Sequence, residues 1–378
     1  MNYNTNLKYH YRPKKGWMND PNGLIYFKGY YHAFYQHVPN LENPIDSDNV
    51  YQSMSWGHAI TKDFLSWQEL PVAISGDKPY DIDGCWSGTA IEKDGVLYLF
   101  YASVLYDEKL QKHNPQTVSV AYSKDGINFE KYEGNPVIKT FPKEGSIDFR
   151  DPAVIKTNEK YYLVMASANP DDNAARLLVY ESENLFDWKY NGVLYEWLGD
   201  ENNQMLYAEC PSIMKCGDKY LLSASVARKG DVLNFAIMYG DFDGFKFNPE
   251  IKGEIQLGPD QYAGQAFTDH LGRNILISWI PGWKYAFEPV SLGCLSLPME
   301  ITVKDGKIFA YPVKEVQHLL KDSDENVEIT SDGFIVKRNL KPDVVYKGNI
   351  NDIKIMRDEY VLEIFVNGGE YVYAAVLN

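Results

Sequence analysis

Asp20 in Asn19-Asp20-Pro21-Asn22-Gly23, Asp151 in Arg150-Asp151-Pro152 and Glu209 in Glu209-Cys210-Pro211 each stand just ahead of a strand-like segment. Paired carboxyl groups either side of an acetal oxygen are the usual apparatus for cleaving a glycoside. One stays ionised to attack or stabilise the anomeric carbon, and the other carries a proton for the leaving oxygen. Like charges held close push the two pKa values apart, which assigns the roles. A third acid beside an arginine stays charged and can hold sugar hydroxyls that bind tighter as an oxocarbenium ion forms. Singly, each acid fits a simpler reading. Asp, Pro, Asn and Gly are turn residues, Arg150-Asp151 fits a surface ion pair, and Glu209 fits an exposed acid before a strand. Turn chemistry alone does not place an acid at one register three times.

The elements that would set this register recur along the chain as strand, polar turn, aromatic-rich strand. The copies are Gly23–Gln36, Gly88–Ser103, Pro152–Ser167, Pro211–Ser225 and Gln265–Trp279, with turn markers at Gly29, Gly95, Glu159, Gly217 and Gly272. A second echo follows the first four: Thr61-Lys62-Asp63 before Trp67, Ser123-Lys124-Asp125 before Phe129, Ser182-Glu183-Asn184 before Trp188, and Gly240-Asp241 before Phe245 and Phe247. Alternating apolar and polar residues between Gly, Asn and Asp turns indicate about four antiparallel strands per copy. Such units repeating every ~60 residues match a five-bladed β-propeller, whose sheets pack radially around a channel. Counting back eight or nine residues from each turn marker reaches Asp20, Trp86/Ser87, Asp151, Glu209 and, beside Tyr262, Ala263/Gly264. Equivalent positions lie at one level around the axis, so three carboxyls should meet in one aromatic-lined funnel.

The chain of 378 residues exceeds the ~250–300 at which a single core stops growing. We therefore divide it into a propeller over residues 1–300 and a short C-terminal β-module over 301–378. In the module, Val361–Val366 and Tyr371–Leu377 flank Asn367-Gly368, a type I′ turn signal. From about Val313 onward the length is too small for a full two-sheet sandwich, so an open edge and a homodimer through this module are expected. Helical periodicity is weak, with Val313–Leu320 the best candidate.

Lys and Arg number 37 against 52 Asp and Glu, a net charge of −15, which argues against nucleic acid and anionic membranes as partners. The surplus of 29 Tyr and 8 Trp suits β-sheet and also sites that stack on sugar faces. Cys85, Cys210, Cys216 and Cys294 form no CxxC pair, so neither a zinc site nor a disulfide framework is expected. His58 reads as a hydrogen-bonding residue behind Trp56, and His10 and His32 lack partners at ligand spacing. No metal or cofactor is expected. The start, Met1 to Lys15, has no apolar h-region, so a cytoplasmic location is the expectation.

At these residues the sequence resembles glycoside hydrolase family 32, the β-fructofuranosidases (invertases, exo-inulinases and levanases). Trp17-Met18-Asn19-Asp20-Pro21-Asn22-Gly23, Gly84-Cys85-Trp86-Ser87-Gly88, Phe149-Arg150-Asp151-Pro152 and Glu209-Cys210-Pro211 are similar to its motifs. Trp56-Gly57-His58-Ala59, Asp260 through Gln265 and Leu295-Ser296-Leu297-Pro298 follow in its order. The resemblance implies a five-bladed propeller followed by a β-sandwich, with Asp20 as nucleophile, Glu209 as acid/base and Asp151 as transition-state stabiliser. It also implies that Asn19, Gln36, Trp56, Trp86, Ser87 and Arg150 hold the fructosyl unit, with Tyr262 and Trp279 contributing from the fifth blade. Three departures stand out: the stretch from Asn40 to Ser55 at the expected pocket mouth, Met299 where the family has Arg, and the shortened C-terminal module. An exo-acting, retaining β-fructosidase on sucrose or short fructans is the leading expectation. A fructosyltransferase using the same intermediate and a non-catalytic sugar-binding propeller are the alternatives.

Overall fold

The computed structural model describes residues 7–39, 54–107, 109, 112–157, 159–169, 172–202, 204–229, 234–255, 258–280, 293–339 and 341–377. Most of the stretch singled out at the pocket mouth, 40–53, lies outside them. Each repeat copy is an antiparallel hairpin whose reversal uses left-handed backbone. At Lys28-Gly29 and Asp94-Gly95 both loop residues have positive φ, as a type I′ turn requires.

Consecutive strands build five sheets. The first contains Trp17–Phe27, Tyr30–Val38, Ser55–Thr61 and Trp67–Ile74. The second contains Gly84–Lys93, Val96–Val104, Thr117–Ser123 and Glu130–Lys131. The third runs Phe149–Thr157, Lys160–Asn169, Ala174–Ser182 and Lys189–Leu198. The fourth runs Met205–Cys216, Lys219–Arg228, Asn234–Phe242 and Phe247–Ile255. The fifth contains Tyr262–Thr268, Asn274–Ile280, Met299–Lys304 and Lys307–Pro312, with Cys294–Leu295 paired to its second strand. The first strand of each sheet touches the first strands of its two neighbours, and the fifth touches the first, so the ring closes. Apolar faces of adjacent sheets fill the wedges between them. Leu177 and Val179 pack against Leu222 and Ala224, for example.

The second echo is a recurring side-chain cap. Asp63 accepts the N–H groups of Leu65 and Ser66, Asp125 those of Ile127 and Asn128, Asn184 those of Phe186 and Asp187, and Asp243 those of Phe245 and Lys246. The fourth copy therefore aligns on Asp241, one residue beyond the expected Gly240, because the cap residue is Asp243.

The hairpin of Met299–Lys304 and Lys307–Pro312 is hydrogen-bonded into the fifth sheet. The 300/301 division would cut that sheet, and we place it after Pro312. Beyond it lie two three-stranded sheets, Val327–Thr330/Gly333–Val336/Val344–Lys347 and Ile353–Asp358/Val361–Val366/Tyr371–Val376. Phe334, Val336, Leu362 and Ile364 fill the core between them. The module is thus a small two-sheet sandwich, which strands of only four residues in the first sheet and six in the second make possible. Its closing hairpin has a four-residue loop rather than a two-residue I′ turn. Val366 pairs with Tyr371, and Asn367, Gly368 and Gly369 all have positive φ. Gly369 is required there, since a Cβ would lie 2.2 Å from the Ala310 carbonyl oxygen on the fifth sheet. Val313–Leu320 yields only a short 3₁₀ turn, Gln317–Leu319.

Met299 is fully buried with Phe365 and Val372, so this departure lies in the joint between propeller and sandwich. A buried clamp fastens the same joint. His10 meets Asp358 through Nδ1 at 3.0 Å and Glu363 through Nε2 at 2.8 Å, while Glu363 accepts the Leu297 N–H at 3.0 Å. Burial opposes a charge on His10, but the two carboxylates prevail and push it up to about 9. A raised folded-state pKa means stability that is whole below the ordinary value and is lost as pH rises through about 9. His10→Ala leaves two buried carboxylates without their cation and should cost about 3–5 kcal/mol at pH 7. Thermal melts should show that gap narrowing between pH 7 and 10, and a constant gap would refute the clamp's charge.

Candidate active site

A regular strand sends successive side chains to opposite faces. Yet Asn19 with Asp20, Trp86 with Ser87, and Arg150 with Asp151 all line one cavity. The alternation is broken because the inner strand of every sheet carries a β-bulge at the same end. These lie between Met18 and Pro21, Trp86 and Gly88, Arg150 and Ala153, Glu209 and Ser212, and Tyr262 and Gln265. Bulges re-aim side chains in this way. In the last three the second residue, Asp151, Cys210 or Ala263, has φ between 49 and 59°, a costly conformation for residues with a Cβ.

The bulges also revise the register expected from the sequence. Arg150, Glu209 and Tyr262 are the equivalent residues, pairing across to Ala166, Ser225 and Trp279. Asp151 is equivalent to Cys210, one position later. The acids therefore converge from different bulge positions, because the extra residue lets two neighbours face the site.

The three equivalent residues form a chain of hydrogen bonds across three sheets. Arg150 donates to Glu209 Oε1 through Nε at 3.1 Å and Nη2 at 2.8 Å, and the Tyr262 hydroxyl donates to Glu209 Oε2. Arg150 also pairs with Asp148 and lies 5.7 Å from the centre of the Tyr207 ring. Asp151 accepts the Cys210 N–H at 2.9 Å. Asp20 accepts from Asn19 Nδ2 at 3.2 Å, Ser87 Oγ at 3.1 Å and Cys210 Sγ at 3.5 Å. The Trp17 indole N–H fixes Asn19 in turn, at 2.7 Å. Burial, reinforced by the charge of Glu209, pushes Asp20 up to about 6 against those hydrogen bonds. Burial pushes Asp151 up to about 7, with Arg150 pulling it down and Glu209 adding to the rise.

The cavity measures about 350 Å³, and Asn19, Gln36, Trp86, Ser87 and Arg150 line it together with the three acids. Trp56, Tyr262 and Trp279 stand behind its walls. Trp56 is fully buried, its indole N–H donating to the Trp86 carbonyl at 3.0 Å, and Trp279 packs edge-on against Trp17 at 5.8 Å. Tyr262 reaches the cavity's lining by its hydrogen bond to Glu209. Met54, from the stretch singled out at the pocket mouth, also lines the cavity, as do His113, Asp148 and Tyr207, which were not singled out in the sequence. Of those three only Asp148, two residues before Arg150, offered a signal. His58 is fully buried and bonds His32 at 3.0 Å, consistent with a supporting role behind Trp56. Among the described residues no group of three His, Cys, Asp or Glu could hold a metal ion, and no helix is long and apolar enough to cross a membrane.

The model of the "Glycosyl hydrolases family 32 N-terminal domain" matches residues 10–312, ending where the fifth sheet ends. The chain is 35% identical to a sucrose-6-phosphate hydrolase of Zymomonas mobilis, over 86% of this chain and 65% of that one. It is 36% identical to a raffinose invertase of Escherichia coli, over 82% and 65%. It thus spans about 65% of the length of these curated relatives. The solved structure of a Bombyx mori GH32 beta-fructofuranosidase superposes with a TM-score of 0.80 at 27% identity, covering 99% of this chain and 89% of that one.

An acid whose pKa is raised on folding binds its proton more tightly in the native state, so stability falls as pH rises through the folded value. Asp151→Asn keeps the shape without the ionisation. It should raise Tm at pH 7.5 and above, with the gain vanishing near pH 3, where the carboxyl is protonated in both states. Thermal melts across that range check this, and a Tm lowered at every pH would contradict it.

Proposed function

Because the chain belongs to glycosyl hydrolase family 32, we propose that it is a retaining, exo-acting β-fructofuranosidase. It releases terminal non-reducing β-D-fructofuranosyl units from small neutral sugars, sucrose or short fructooligosaccharides. The observation that carries this reading is that Asp20 and Glu209 share one cavity, each held by donors from a neighbouring sheet.

In the first step an Asp20 carboxylate oxygen attacks C2 of the fructosyl unit. The C2–O bond breaks, and its electron pair goes to the leaving oxygen, which takes the proton of Glu209. A fructosyl ester on Asp20 results. Water then attacks C2 as Glu209 takes its proton, the ester bond breaks, and Asp20 is regenerated. Two displacements at C2 return the original configuration. Asp151 accepts hydrogen bonds from sugar hydroxyls and opposes the positive charge of the oxocarbenium-like transition state. Arg150 and Tyr262 hold Glu209 in line with the leaving oxygen. Since burial, with the charge of Glu209 adding to it, raises both aspartates, the cluster retains a proton near neutrality. Catalysis needs that proton on Glu209 and Asp20 ionised.

Sugar release followed by chromatography tests the reading, with sucrose, short β-2,1 fructooligosaccharides and levan-type oligomers as substrates. Free fructose is expected. Asp20→Ala and Glu209→Ala should each lower kcat by ~10²-fold or more. Longer fructans as the main product would indicate transfer, and no turnover on any substrate would overturn the proposal.

The pH profile gives a second test. Protonated Asp20 cannot attack, so kcat/KM should fall as pH drops through about 6. A profile flat from pH 7 to 4.5 would contradict Asp20 as nucleophile.

A further inference from the structure

The cavity is also lined by a histidine that this chemistry does not use. His113 ends a small hairpin, Tyr106–Asp107 paired with Lys112–His113, inserted between the second and third strands of the second sheet. The hairpin's base is fixed. The Tyr106 N–H donates to Asp83 Oδ2 at 2.8 Å, and the Asn114 N–H donates to the Leu105 carbonyl at 2.8 Å. Just beyond, Gln116 accepts the N–H of Phe149, the neighbour of Arg150, at 3.3 Å. The imidazole stands edge-on to Trp86 at 4.8 Å and to Tyr106 at 5.2 Å.

Within this frame Nδ1 is sealed from solvent and has no hydrogen-bond partner among the described residues. A proton on Nδ1 would be stranded there, which favours the neutral tautomer protonated on Nε2, in a ring that lines the cavity. Burial holds the ring below the ordinary histidine value against the pull of Asp83, which favours the neutral form. Trp86 and His113 both line the cavity and touch each other, on the sheet that also supplies Ser87 to Asp20.

We propose that His113 donates a hydrogen bond from Nε2 to a hydroxyl oxygen of the leaving sugar, so that the cavity selects a polyhydroxylated leaving group over a simple alcohol. This rests on the β-fructofuranosidase reading.

The test compares sucrose with methyl β-D-fructofuranoside, which shares the fructosyl unit but has no hydroxyl on its leaving group. His113→Phe keeps a ring against Trp86 and Tyr106 but removes the donor, whereas His113→Gln restores an N–H of similar reach. His113→Phe should lower kcat/KM on sucrose about tenfold, the effect of one lost hydrogen bond, and leave the methyl glycoside within about twofold. His113→Gln should recover most of the loss. Equal losses on both substrates, or no loss on sucrose, would overturn the inference. An unaltered protein that turns over neither substrate would remove the proposed function and this inference with it.

Discussion

Repulsion among Asp20, Asp151 and Glu209 is the constraint around which the site is built. Asp20 and Asp151 have lost water, and the charge of Glu209 adds to the cost of ionising both, so the folded chain must supply compensating donors from fixed positions. Arg150 supplies the cation, split between Glu209 and Asp148. Tyr262, Ser87, Asn19, the Cys210 thiol and the Cys210 N–H supply the rest. These groups come from all five inner strands, so no single hairpin could build the site. Aspartates held near 6 and 7 are stability given up for reactivity. They leave a proton available to the cluster in the range where glycoside cleavage needs one.

The bulges make that crowding geometrically possible. Alternation in a flat strand would send either Arg150 or Asp151 away from the cavity, and likewise either Asn19 or Asp20. One extra residue at this end of each inner strand turns both inward, at the expense of left-handed backbone at Asp151, Cys210 and Ala263. Ring closure then fixes the distances between strands, and the C-terminal sandwich braces the seam. His10 precedes the first inner strand, Leu297 follows the fifth sheet's second strand, and Asp358 and Glu363 hold both from the sandwich. The buried Arg338–Asp260 pair, with Asp260 also accepting the Val376 N–H, ties the sandwich to the segment just before Tyr262.

Much of this was legible in the sequence because turns leave local marks. Lys28-Gly29, Asp94-Gly95 and the Ser/Thr-x-Asp/Asn caps depend on backbone conformations that few residue types favour, so the repeat is visible without any contact information. The convergence of the three acids followed from the repeat. What local pattern could not carry was non-local. The bulges shift Asp151 by one position relative to Glu209, and no residue type announces a bulge. Trp56 and Trp279 adjoin motifs, yet both are buried and neither is among the residues that line the cavity, a matter of packing that local pattern does not carry. His113 was missed because its hairpin is an insertion outside the repeat. The closing hairpin of the sandwich was read, but its first sheet was not, because the four-residue strands Val327–Thr330, Gly333–Val336 and Val344–Lys347 give too short an alternation. The fifth sheet borrows a hairpin from beyond the Ser296-Leu297-Pro298 change of rhythm, which displaced the domain boundary.

Retention through an ester on Asp20 is the central chemical claim, and the configuration of a transfer product reports on it most directly. With sucrose in a methanol–water mixture, methanol captures the fructosyl unit, and the anomer formed can be read by NMR before any secondary reaction. Double displacement predicts methyl β-D-fructofuranoside, lost in Asp20→Ala. Methyl α-D-fructofuranoside as the first product, or the β-anomer still formed by Asp20→Ala, would contradict it.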